Sequence, residues 1–176
     1  MQVRALEYFV AMGGAMAIPQ RVREYLDSKH IPHEWLHHAQ AFAAQQVAHS
    51  IHVSGKHLAK TVVLSADGRL VMGVIPASHR LNLQELRALL EVKHLEMLSE
   101  DELAKLFPDC ELGALPPLGN LYGMEVWVDR ALGESEDIVF CTGTHVDCVR
   151  MKYADFAGLV ELRIGRFSDV WGAMAA

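Results

Sequence analysis

Lys60-Thr61-Val62-Val63-Leu64-Ser65-Ala66-Asp67-Gly68-Arg69-Leu70-Val71-Met72-Gly73-Val74-Ile75 reads as two apolar runs joined at Asp67-Gly68. Asp-Gly between two such runs is a strong short-range hairpin signal, so strands are expected over 60–64 and 70–75. Around this hairpin, helices and further strands alternate irregularly. Pro19 opens a helix over 19–29 in which Val22, Tyr25 and Leu26 form a one-sided apolar stripe. A short strand follows at 34–37, then a helix at 41–51 with Phe42, Val47 and Ile51 as core contacts. Asn82 caps a helix through Leu90, and Ser99-x-x-Glu102 is a capping box that opens a helix to Phe107. Strands are expected at 123–128, 137–141 and 145–151, a helix at 154–160 and a last strand at 162–164. Met124, Val126 and Val128 alternate against Glu125 and Trp127. Several strands adjoin through short turns, which excludes a purely alternating βαβ chain. The expectation is an α+β fold, a mixed sheet with helices around it.

The 176 residues suffice for one domain with a real core, and 51% of them are hydrophobic. Met16 precedes a more typical helix start, so residues 1–15 are read as an extension and 16–176 as a single domain. No apolar run approaches the roughly 20 residues of a membrane helix, and the first ten residues make a poor signal peptide. Cys110, Cys141 and Cys148 form no CxxC pair, which fits a reducing cytosol. A net charge of −6 argues against a long nucleic-acid grip, since such proteins carry a basic face. DNA is not expected as a partner.

Three places carry chemistry. Gly113-Ala114-Leu115-Pro116-Pro117 is a stiff loop between a helix and a strand. Its remaining backbone N–H groups point in fixed directions, which suits holding a ligand oxygen; as a plain turn it would do nothing more. Lys60 shares a strand face with Leu58 and Val62. Facing inward it needs an anionic or carbonyl partner, and at a sheet edge it would simply meet water. Gly143-Thr144-His145 comes between two strands, and its histidine either positions a ligand or faces solvent. The ten histidines show no HExxH frame and no paired cysteines, so no metal and no other cofactor is expected. No nucleophile elbow, Walker loop or dinucleotide fingerprint is present.

A strand lysine, a Gly-x-x-x-Pro loop from Gly113 to Pro117 and a late Gly143-Thr144-His145, in that order, resemble the YbaK/prolyl-tRNA synthetase-associated editing family. The resemblance covers about residues 16–170. It implies a barrel-like, largely antiparallel mixed sheet wrapped by helices. It also implies a cytoplasmic hydrolase that deacylates tRNA mischarged with a small amino acid such as alanine, serine or cysteine. Lys60, Gly113 and His145 would then be catalytic, with Thr61, Ala114, Leu115, Pro117, Gly143 and Thr144 binding substrate. The partner would be the 3′ end of an aminoacyl-tRNA, with a synthetase as a second candidate. The competing reading keeps the fold without catalysis, as a module that binds tRNA or a synthetase.

Overall fold

The computed structural model describes residues 16–172, so the extension assigned to residues 1–15 lies outside the described residues. Strands β1 (His33–His37), β2 (Leu58–Ala66), β3 (Arg69–Pro76), β4 (His79–Leu81), β5 (Leu95–Met97), β6 (Glu125–Asp129), β7 (Asp137–Cys141), β8 (Asp147–Lys152), β9 (Leu162–Gly165) and β10 (Ser168–Val170) carry the sheets. Helices α1 (Gln20–Lys29), α2 (Ala44–Ser50), α3 (Leu83–Leu90), α4 (Glu100–Leu106) and α5 (Tyr153–Leu159) surround them.

The Asp67-Gly68 hairpin is at the centre. Asp67 and Gly68 have φ of 48° and 83°, the positive pair that a two-residue turn matching strand twist requires. The Asp67 carboxylate accepts the N–H groups of Lys93 (3.1 Å) and His94 (2.8 Å), tying the end of α3 to the hairpin. These donors hold its carboxyl below the usual carboxylate range. The main sheet runs β1-β8-β7-β2-β3-β6-β9, and β5 adds to β2. It is mixed: β2–β7, β3–β6 and β6–β9 are parallel, and the remaining pairings are antiparallel. The path is open, with β1 and β9 at its ends, and does not close into a barrel. β4 and β10 pair separately.

Both sheet faces are covered. Val63, Met72, Val74, Val126 and Val128 pack with α1 through Val22 and Leu26 and with α5 through Phe156 and Leu159. Leu64, Val71 and Ile75 pack with Leu86 and Leu90 of α3. Alternation in β6 does place Trp127 opposite Val126 and Val128. That second face is interior too, and Trp127 is buried with the α3 cluster. The Ser99–Glu102 capping box forms as expected, with Ser99 Oγ accepting the Glu102 N–H at 3.3 Å. Asn82 Oδ1 likewise accepts the Glu85 N–H at 3.2 Å. Helix α2 begins at Ala44 rather than Ala41, and Phe42 is not a core residue: it is 67% exposed. No helix among the described residues is long and apolar enough to cross a membrane.

Candidate active site

Strand β2 is paired with β3 along one edge from Ala59 to Ala66. On the other edge β7 covers only Leu58 and Ala59, while β5 covers Leu64 to Ala66. Lys60, Thr61 and Val62 therefore face a gap between two neighbouring strands. Two loops fill it.

The first loop follows Pro108. The Ala114 N–H donates to the Glu111 carbonyl at 3.1 Å, and Gly113 has φ +88°. That combination is a type II turn, whose third residue needs positive φ and so favours glycine. The second loop, 142–146, is held by Thr144. Its Oγ1 donates to Asp147 Oδ2 (2.7 Å) and accepts the Asp147 N–H (3.0 Å). The loops are laced together. Glu111 N–H donates to the Gly143 carbonyl (2.8 Å), Gly143 N–H to the Ala114 carbonyl (2.9 Å), and His145 N–H to Glu111 Oε2 (2.5 Å). This lacing brings the His145 ring over Gly113: a Cβ on Gly113 would stand 3.4 Å from His145 Cε1. Phe42 closes the other side, edge-on to His145 with centroids 4.8 Å apart.

The result is a narrow cavity of about 20 Å³, lined by Phe42, Lys60, Thr61, Gly113, Leu115 and His145, with Ala44, Val47 and Cys141 behind. That volume holds little more than one water-sized group. Its polar groups are few. Thr61 Oγ1 is buried without a hydrogen-bond partner among the described residues. The N–H groups of Gly113 and Leu115 also make no backbone hydrogen bond to a described residue. Lys60 is half-buried; its Nζ donates to the His79 carbonyl at 3.3 Å and lies 6.0 Å from the Trp171 ring centre. Desolvation lowers its pKa from the ordinary lysine value.

Four of the residues expected to bind substrate do not line the cavity. Ala114 is buried and uses its carbonyl to hold Gly143. Pro117 is buried behind the loop. Gly143 (φ +103°) lies against Pro19, where a Cβ would come within 2.6 Å of the proline ring. Thr144 is fully buried within its own turn. Conversely, Phe42 and Cys141 line the cavity and are not among the expected site residues. Extending the parallel β2–β7 register one step past Ala59 and Phe140 sets Cys141 beside Lys60. That neighbourhood comes from strand pairing and has no local signal. The Cys141 sulfur is 3.6 Å from that of Cys148, whose hydrogen bond holds the Cys141 thiol down. Among the described residues no cluster of three metal-ligating side chains occurs.

Residues 38–159 match the family described as the aminoacyl-tRNA editing domain. The chain is 24% identical over 128 residues to a proline–tRNA ligase of Bacillus mycoides (strain KBAB4), covering 73% of this chain and 22% of that protein. With a proline–tRNA ligase of Staphylococcus epidermidis it shares 27% over 127 residues, 72% of this chain and 20% of the other. The chain thus spans about a fifth of the length of these relatives. A solved structure described as "a putative trans-editing enzyme for prolyl tRNA synthetase" superposes with a TM-score of 0.76 at 16% identity, covering 85% of this chain and 96% of that one. The matched segment holds the split edge of β2 and both laced loops, and the chain belongs to the aminoacyl-tRNA editing domain family.

Proposed function

We propose that this domain hydrolyses the ester of a tRNA mischarged with a small amino acid. The observation that carries the reading is the concentration of unpartnered polar groups in the β2 gap. Thr61, Gly113, Leu115, Lys60 and His145 line one cavity of about 20 Å³, where Thr61 Oγ1 has no partner and the Gly113 and Leu115 N–H groups make no backbone hydrogen bond among the described residues.

The ester carbonyl is read as sitting against the Gly113 and Leu115 N–H groups, with Lys60 near the carbonyl or the adjoining phosphate. Water attacks the carbonyl carbon, the bond to the ribose oxygen breaks, and that oxygen leaves with a proton. The ribose hydroxyl next to the ester takes part in the proton transfer, and His145 orients the water. Negative charge on the carbonyl oxygen is met by donors already fixed in place; each such donor lowers a barrier by roughly 3–4 kcal/mol. The narrow cavity is read as a sieve that admits the methyl of alanine as it stands, and serine or cysteine once the exposed Phe42 side chain swings aside. Sieves of this kind matter because a synthetase gains only about 1–3 kcal/mol from one methylene.

The test is a panel of mischarged tRNAs with release of each amino acid followed in time. Alanine, serine or cysteine should be released and larger residues retained. The narrowness of the cavity also favours the competing reading, a tRNA- or synthetase-binding module without catalysis. Absence of release across the whole panel, with tRNA still bound, would establish that one instead.

A further inference from the structure

A second and larger cavity of about 480 Å³ is built where β4, β10 and the 3-10 turn at Arg130–Glu134 meet. Arg80, Arg130 and Arg166 line it. The arginines that form ion pairs among the described residues are Arg21, Arg69, Arg150 and Arg163. The three in the groove form none, although three carboxylates share its walls. Asp129 is 2% exposed and spends both oxygens on the N–H groups of Ala131 (2.9 Å) and Phe167 (2.8 Å). Asp169 accepts from Asn82 Nδ2 at 3.1 Å, and Glu134 is exposed. Ser168 also lines the groove. It is 8% exposed, and its Oγ is buried with no hydrogen-bond partner among the described residues.

The groove joins the site already described. Lys60 donates to the carbonyl of His79, and His79 lines the groove. Antiparallel pairing of β4 with β10 sets Val170 opposite His79, and the next residue, Trp171, is 56% exposed beside the Lys60 ammonium. An exposed aromatic ring beside a cationic group is a stacking platform for an unpaired base. Guanidinium groups without carboxylate partners offer paired donors to phosphate oxygens. A buried hydroxyl lacking a partner is costly, and a phosphate oxygen would supply one.

We infer that this groove is a phosphodiester track: Arg80, Arg130, Arg166 and Ser168 hold the RNA strand that leads into the Lys60 cavity. The inference rests on the deacylase reading for the direction of the strand, not for the existence of the site. The groove's formal charge is balanced, so affinity comes from direct guanidinium contact rather than long-range attraction. That fits a chain with net charge −6.

The probe is an RNA minihelix with an unpaired 3′ tail and a 5′ fluorescein, titrated by anisotropy at several salt concentrations. The triple variant R80A/R130A/R166A should bind at least about tenfold more weakly, since hydrogen bonds to charged groups are strong. Its salt slope should fall by about 2, because each single-strand phosphate contact contributes roughly 0.7. The triple lysine variant should keep the slope. With a mischarged minihelix, KM should rise in the alanine variant while single-turnover release at saturating enzyme stays unchanged. Unchanged affinity and slope would overturn the inference. Arginine-dependent binding of AMP or inorganic phosphate, with minihelix affinity unaffected, would make the groove a free-anion site and overturn it equally. Release of amino acid with no effect of the variants would remove the track and leave the deacylase. Arginine-dependent RNA binding without any release would do the reverse.

Discussion

Gly113 and Gly143 look alike on the chain and differ in the fold. Both sit in a loop, and both have positive φ, +88° and +103°. At Gly113 the missing side chain leaves the turn open toward His145 and Phe42, with nothing nearer than 3.4 Å. At Gly143 the missing side chain is where Pro19 sits, with Cys110 Sγ behind it at 3.2 Å. One glycine keeps the wall of a cavity open and the other makes room for the rest of the protein. Positive φ alone therefore does not mark a functional loop. What surrounds the absent Cβ does.

The contrast can be broken most sharply at Gly143. Gly143→Ala combines left-handed strain of about 1–2 kcal/mol with overpacking of about 1–3 kcal/mol against Pro19. Thermal and urea unfolding should show a loss of roughly 2–5 kcal/mol in stability on the sum of those figures. A variant as stable as the wild type would mean that the α1 start yields freely, and the distinction would fail.

Lys60→Ala should have the next largest effect, and on activity rather than folding. Losing a charged hydrogen bond costs about 1.5–3 kcal/mol, or roughly 10–150-fold in kcat/KM for deacylation. Folding should not suffer, because the half-buried ammonium is desolvated. The sign follows from the lowered pKa. Between the lowered value and the ordinary lysine value Lys60 binds more protons unfolded than folded, so its own contribution to stability rises with pH there, while Cys110, Tyr122 and Tyr153, raised by burial, contribute in the opposite sense. Denaturant titrations of both proteins should show the stability of wild type relative to Lys60→Ala rising with pH through that window. An active Lys60→Ala enzyme would remove the lysine from the chemistry.

Gly113→Ala should be the mildest of the three. Strain costs about 1–2 kcal/mol of folding, and no backbone stands in the way of the new methyl. The methyl moves toward His145 and shifts the Gly113 and Leu115 N–H groups, so single-turnover release should drop by about tenfold, near 1.4 kcal/mol. Deacylation equal to wild type with the stability loss intact would make this loop only a turn, as Gly143 is.

Much of the architecture was readable locally. The Asp67-Gly68 hairpin, the Asn82 cap and the Ser99–Glu102 box are decided by residues within a few positions of one another, and each is present. The short strands β4 and β5 escaped notice because three residues carry no periodicity. Phe42 misled for a related reason: an aromatic at the start of a helix reads as core until the helix is found to begin two residues later. The site was legible in part. Lys60, Thr61, Gly113, Leu115 and His145 do meet at one cavity, while Ala114, Pro117, Gly143 and Thr144 support it from behind.

The sequence by itself determined the longer elements, the turns that need glycine and the order of three short motifs that mark the family. Those depend on φ preferences, caps and periodicity, which are properties of neighbours in the chain. Only the tertiary structure decided that β7 leaves β2 at Ala59 and that β5 rejoins it at Leu64, opening the gap in which Lys60 and Thr61 stand. It alone set Pro19 against Gly143, and it gathered Arg80, Arg130 and Arg166 from three distant segments into one groove. Strand pairing and loop docking are chosen by how surfaces far apart in sequence bury one another, and no local pattern records that choice.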